Sequence, residues 1–153
     1  MKMYIIRHGQ TPWNARKCLQ GRSDVDLNEN GIYLAELTGK ALRDVTFDMA
    51  FTSPLIRAKH TAQCILAGRK VPIIEDERLI EISFGIYEGC CYAEENRQVP
   101  QQWIENFFHA PQDYVAAPVS GGITRQILLS RLLSAARNLT MKGGLILAMV
   151  RAI

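Results

Sequence analysis

Four side chains in this sequence are of the types that phosphoryl transfer requires: Arg7, His8, Arg57 and Glu81. Such a reaction needs a nucleophile, positive donors around the equatorial oxygens, and a proton for the departing oxygen. A neutral imidazole at position 8 can attack phosphorus. Arg7 and Arg57 can grip phosphate oxygens with paired N–H donors, a geometry that lysine does not match. Glu81 can protonate a departing alkoxide. Singly, each has a duller reading as a turn histidine, a solvated arginine or a surface carboxylate, because short patterns match by accident. The inference rests on their joint placement.

That placement follows from the elements expected around them. Lys2 to Ile6 reads as a short apolar strand that ends in the polar loop Arg7-His8-Gly9-Gln10-Thr11. A long loop continues through Gly21 to Asp26. Asn28 reads as the N-cap of a helix running to about Arg43, and its stripe of Leu34, Leu37, Ala41 and Val45 is expected to face the core. A second strand, Asp48 to Thr52, leads to Ser53-Pro54, with Pro54 expected in the first turn of the next helix, where its missing N–H costs nothing. That helix carries Arg57 early and turns Leu55, Ala58, Ala62, Ile65 and Leu66 inward. A third strand, Val71 to Ile74, precedes a loop over 78–89 that holds Glu81. An aromatic helix is expected over Gln101 to Phe108, a longer helix over Ile123 to Met141, and a buried strand over Leu145 to Val150. Strands alternating with helices predict one α/β domain over residues 1–153, a three-layer α/β/α sandwich around a mainly parallel sheet. Ligands in such folds bind beyond the carboxyl ends of the strands, where His8, Arg57 and Glu81 fall.

Composition narrows the function classes. A length of 153 residues with 48% apolar residues suffices for one buried core. The net charge of +3 is too small and too scattered for nucleic acid as the main partner, but it suits a small anionic ligand. The N-terminal apolar run is broken by charge too early for a signal peptide, and no apolar stretch is long enough to span a bilayer, so a cytoplasmic protein without a membrane partner is expected. Cys18, Cys64, Cys90 and Cys91 form no Cys-x-x-Cys pair and are expected to be reduced thiols. Asp24 and Asp26 lack a third ligand and read as loop and capping residues, so no metal site and no cofactor are expected.

Arg7-His8-Gly9-Gln10-Thr11 followed by Asn14 resembles the signature of the histidine phosphatase superfamily, the phosphoglycerate mutase-like proteins. Ser53-Pro54-Leu55-x-Arg57-Ala58-x-x-Thr61-Ala62 is similar to its second block, and Leu79-x-Glu81-x-x-Phe84-Gly85-x-x-Glu88-Gly89 to its third. Gln20-Gly21 matches a loop dipeptide that helps hold the substrate. The resemblance implies a phosphoglycerate mutase-like fold and a phosphatase that forms a phosphohistidine on His8. Arg7 and Arg57 would stabilise the phosphoryl charge, Glu81 would act as acid and then base, and Thr11, Asn14, Gln20 and Gly21 would contact the substrate.

The pattern breaks near the C-terminus. Family members carry a second histidine in a Ser-His-Gly sequence after the last core strand; here Arg151-Ala152-Ile153 follows that strand. Gly121-Gly122-Ile123-Thr124 stands where the family writes Gly-Gly-Glu-Ser. The domain therefore reads as lacking its C-terminal portion, through truncation, a frameshift near residue 122 or a shortened chain. Loss of one preorganised donor predicts activity lower by about 10²–10³-fold. An uncovered flank of the sheet would favour self-association as a homo-oligomer. His60, three residues beyond Arg57, reads as a satisfied helix histidine, and His109 is placed by no rule.

Between Gly89 and Gly121, Trp103 and Phe107 are spaced to stack on one helix face, preferably as core and alternatively as a lid. The segment is shorter than the insertions of the family's mutases, which favours hydrolysis of a small phosphorylated metabolite. A non-catalytic relative that binds phosphorylated ligands or a protein partner is the second reading. A phosphoglycerate mutase is the third.

Overall fold

The computed structural model describes residues 2–110, 113–115, 117–118 and 145–149. In chain order the elements are β1 (Lys2–Ile6), α1 (Pro12–Ala15), α2 (Glu29–Ala41), β2 (Met49–Thr52), α3 (Ile56–Ile65), β3 (Ile73–Glu75), α4 (Gln101–His109) and β4 (Leu145–Met149). The strands form one sheet in the order β1-β4-β2-β3, and every pairing is parallel. β4 enters last in sequence but lies between β1 and β2, so Met149 is in register with both Ile6 and Thr52. The carboxyl end of β4 therefore faces the gap between the loop that holds His8 and the start of α3.

The core lies between the sheet and α2 and α3. Phe47, Ala50, Ala58, Ala62, Ile65 and Leu66 are buried there with Ala35, and Tyr4, Ile6, Leu42 and Val45 pack against them. The inward side expected for α3 is the buried one, Leu55 included. Leu34 and Leu37 of α2 are instead exposed, at 44% and 47%, and Ala41 is exposed as well. Its buried face is Gly31 and Ala35. The reason is close approach: a Cβ added at Gly39 would lie 2.7 Å from the carbonyl oxygen of Ile65. Gly39 lets α2 approach the α3 backbone at Ile65, as Gly31 lets it approach the Gln10 backbone, and a leucine stripe would hold these backbones apart.

Boundaries differ by a few residues, as helix and strand ends do. α1 is a single turn that periodicity does not announce, closed by a capping box between Thr11 and Asn14. Pro54 is not in the first turn of α3; it precedes the N-cap Leu55, which offers no side-chain cap. Asp24 supplies that cap from the loop, accepting the Ile56 N–H at 2.7 Å. The helix expected over 123–141 lies outside the described residues.

The thiol expectation is corrected. Cys18 and Cys91 form a disulfide with Cα atoms 3.8 Å apart, leaving Cys64 and Cys90 free. Two backbone hydrogen bonds, Leu19 N–H to Cys90 O and Tyr92 N–H to Lys17 O, lay the two segments side by side. A partner 73 residues away leaves no trace in local cysteine spacing. Among the described residues, no helix is long and apolar enough to cross a membrane.

Candidate active site

His8 lies just past β1, where the chain leaves the sheet. Its Nδ1 is 2.8 Å from the Gly9 carbonyl oxygen. A neutral imidazole whose proton is on Nδ1, donated to that oxygen, carries its lone pair on Nε2, the nitrogen that can attack. The loop is fastened from behind. Gly9 N–H donates to Thr61 Oγ1 at 2.9 Å, and that hydroxyl donates to the Arg57 carbonyl at 2.7 Å. The histidine loop and the first turn of α3 are thus joined through one buried threonine.

Arg57 is buried, at 2% exposure, and its guanidinium is held by backbone. Nη1 donates to Ser23 O at 2.8 Å and Nη2 to Gly21 O at 2.7 Å. Two carbonyls orient the planar fork and offset the cost of burying its charge. The same loop grips α3 twice more: Asp24 caps Ile56, and Asp26 Oδ1 lies 2.8 Å from His60 Nδ1. His60 is thus a paired helix residue, and both aspartates are loop and capping groups.

One cleft gathers these residues. It encloses about 370 Å³ including its open mouth and is lined by Arg7, His8, Asn14, Gln20, Gly21, Arg57 and Glu81 together with Cys18, Leu19, Phe84 and Tyr92. Every sequence-predicted site residue is in that lining except Thr11. Thr11 is fully buried behind it, where its hydroxyl donates to Gln20 Oε1 at 2.8 Å and its backbone N–H to Asn14 Oδ1 at 3.1 Å. It holds two lining residues without reaching the cleft. Glu81 is buried, at 7% exposure, with Oε1 accepting the Ile82 N–H at 2.9 Å.

The aromatic segment packs as core, the reading preferred from its spacing. Trp103 and Phe107 stack with ring planes 5° apart, and Phe84 meets both edge-on. Leu19, Ile82, Phe84, Val99 and Ile104 form a second buried cluster beneath them. This cluster backs the cleft through Leu19 and Phe84. Tyr92 also lines the cleft, and nothing in its local sequence places it there.

Glu88 was visible only as one letter of a motif, and its surroundings are informative. Oε1 accepts from Arg22 N, Ser83 Oγ and Phe84 N, each at 3.0 Å, and Oε2 from Ser23 Oγ at 2.7 Å. Gly21, at φ +56°, passes so close that a Cβ there would strike this carboxylate. Burial pushes the Glu88 carboxyl up, but these donors together outweigh it and hold the group below its ordinary value of 4.5. Asp26 is likewise held low: burial raises it, and the His60 and Leu27 hydrogen bonds more than offset that. A carboxyl depressed in the folded state stabilises the fold above its unfolded pKa and loses that contribution as pH falls through the folded value. Thermal stability is therefore expected to be level above about pH 5 and to decline below it. Melting curves across pH 3–7 test this, and Glu88→Gln should flatten the decline. A decline of unchanged depth in that variant would assign it to other groups.

The sequence model of the histidine phosphatase superfamily (branch 1) matches residues 3–147. A 2,3-bisphosphoglycerate-dependent phosphoglycerate mutase of Cytophaga hutchinsonii is 40% identical over 115 residues, which are 71% of this chain and 54% of that protein. The uncharacterized phosphatase PhoE of Bacillus subtilis is 36% identical over 102 residues, 67% of this chain and 53% of that protein. The chain thus spans about half the length of these curated relatives. Among solved structures, YhfR of Bacillus stearothermophilus superposes with a TM-score of 0.87 at 32% identity, covering 97% of this chain and 73% of that one. The alpha-ribazole phosphatase of Shigella flexneri superposes with a TM-score of 0.77 at 28% identity, covering 99% and 74%. With its signature loop, second block and acidic loop converging on one cleft of a phosphoglycerate mutase-like fold, the chain belongs to the histidine phosphatase superfamily.

Proposed function

We propose that the chain is a phosphatase acting on small phosphate monoesters through a phosphohistidine on His8. The observation that carries this reading is the shared cleft: a nucleophile with a carbonyl on Nδ1, two arginines and a buried carboxylate line one opening. In the first half-reaction His8 Nε2 bonds to phosphorus, the ester P–O bond breaks, and Glu81 gives its proton to the departing oxygen. In the second, Glu81 takes a proton from water, the water oxygen bonds to phosphorus, and the N–P bond breaks to release orthophosphate. Arg7 and Arg57 meet the charge on the phosphoryl oxygens throughout. The phosphatase and mutase names among the relatives support phosphoryl transfer. The short segment between Gly89 and Gly121 favours release of phosphate over its return to substrate. A small phosphorylated metabolite is the partner this cleft suits.

A second reading is a non-catalytic relative that binds phosphorylated ligands or a protein partner. It draws on Arg151-Ala152-Ile153 standing where the family writes Ser-His-Gly, read with β4 ending between β1 and the strand that leads into α3. On the phosphatase reading, loss of a phosphoryl donor at that position would lower turnover by about 10²–10³-fold.

Incubation with p-nitrophenyl phosphate and, separately, with a phosphoglycerate decides between these. Orthophosphate released from both, with acid-labile phosphate trapped on the protein, is the expected result. Isomer exchange without free phosphate would replace it with a mutase. Binding without any turnover would replace it with the non-catalytic reading.

A further inference from the structure

Two loops that are distant in sequence carry the charged groups of the cleft. The loop at Gly21–Ser23 supplies both carbonyls that hold the Arg57 guanidinium. The loop over 81–89 carries Glu81. Any change in their separation alters where the phosphoryl clamp stands relative to the acid. What ties them is the Glu88 carboxylate, which takes two donors from the first loop, Arg22 N and Ser23 Oγ, and two from the second, Ser83 Oγ and Phe84 N. Arg22 Nε adds one direct strut, donating to the Glu81 carbonyl at 3.3 Å. Gly21 has no Cβ where one would collide with Glu88, so the carboxylate sits against the backbone that receives Arg57.

We infer that Glu88 is a positioning residue: its carboxylate clamps the Gly21–Ser23 loop to the Glu81 loop and so sets Arg57 for the phosphoryl group. The role rests on the phosphatase reading for its effect on turnover, and on phosphate binding alone for its effect on affinity. On that reading Arg57 meets the phosphoryl group directly. Glu88 acts on it through two backbone carbonyls.

Replacing Glu88 by glutamine keeps an oxygen for the three donors that converge on Oε1 and places an NH₂ opposite the Ser23 hydroxyl, which can turn to accept it. Replacing it by alanine leaves buried donors unmet and lets the loop move. Misplacement of about 1 Å in such a support can cost about 10²-fold in rate. Two readouts are taken well below the melting temperature: kcat/KM for p-nitrophenyl phosphate, and orthophosphate affinity by calorimetry. For Glu88→Ala, kcat/KM is expected to fall about 10²-fold and orthophosphate affinity roughly tenfold. Glu88→Gln is expected to stay within about threefold of the wild type in both. In an Arg57→Lys background, where paired donation to Gly21 and Ser23 is already gone, Glu88→Ala should have little further effect.

Ser23→Ala keeps the carbonyl that Arg57 uses and removes one tether to Glu88. It should weaken orthophosphate about threefold, and it supplies the result should Glu88→Ala not fold. The inference is overturned if Ser23→Ala, or a folded Glu88→Ala, binds orthophosphate like the wild type. It is equally overturned if the Glu88→Ala loss is undiminished in the Arg57→Lys background. A wild type that binds orthophosphate in a Glu88-dependent manner without turnover would end the phosphatase reading and uphold this one.

Discussion

His8→Ala is expected to lower kcat/KM for an aryl phosphate by on the order of 10⁴-fold or more, down to the background of buffer. The reason is that the reaction loses its covalent path. Without Nε2 no N–P bond forms, and water must attack the ester directly in a site arranged for a nitrogen. The phosphoryl grip should survive, because two backbone carbonyls, Gly21 O and Ser23 O, hold the guanidinium of Arg57. Orthophosphate affinity should therefore stay within about tenfold of the wild type while turnover vanishes. The fold should hold as well, since Gly9 N–H still pins the loop to Thr61 when the ring's contact with the Gly9 carbonyl is lost. Paired rate and calorimetric measurements check both parts. Equal turnover by the two proteins would remove His8 from the reaction and the hydrolase reading with it.

Glu81→Gln should show a second large effect, and its size should depend on the leaving group. An alkoxide is a poor leaving group and needs its proton in the transition state, so loss of a general acid should cost about 10²–10⁴-fold on an alkyl phosphate. A nitrophenolate leaves with little help, and the cost there should be smaller by an order of magnitude or more. Glutamine retains an oxygen to accept the Ile82 N–H that holds Glu81 in place, so the variant isolates proton transfer from position. The two substrates are compared at one pH on the same protein. A loss of equal size on both would mean that Glu81 shapes the cleft without delivering the proton. A loss confined to the alkyl ester would identify the acid.

What was legible in the sequence is what short-range chemistry dictates. β1 at Lys2–Ile6 and the buried side of α3 follow from patterns only a few residues long, because strand and helix periodicity are local properties. The candidate residues could be read as neighbours because a parallel sheet brings the ends of its strands to one edge, whatever the loops between them do. The stripe of α2 failed by the same logic. Periodicity gives a helix its apolar side but cannot report that glycine and alanine allow a closer fit to α3 than leucine does.

Thr11 shows the same limit at the site: its motif placed it by the cleft, but packing put it behind Asn14 and Gln20. The Cys18–Cys91 bridge and the four donors on Glu88 belong wholly to tertiary structure. Arg22 and Ser23 reach Glu88 across 66 and 65 residues, and no local spacing encodes such a meeting. Sequence determined which groups could do the chemistry. Only the folded chain decided which of them line the cleft and which hold those that do, because hydrogen-bond donors act where the backbone delivers them and that delivery is set by the packing of the whole.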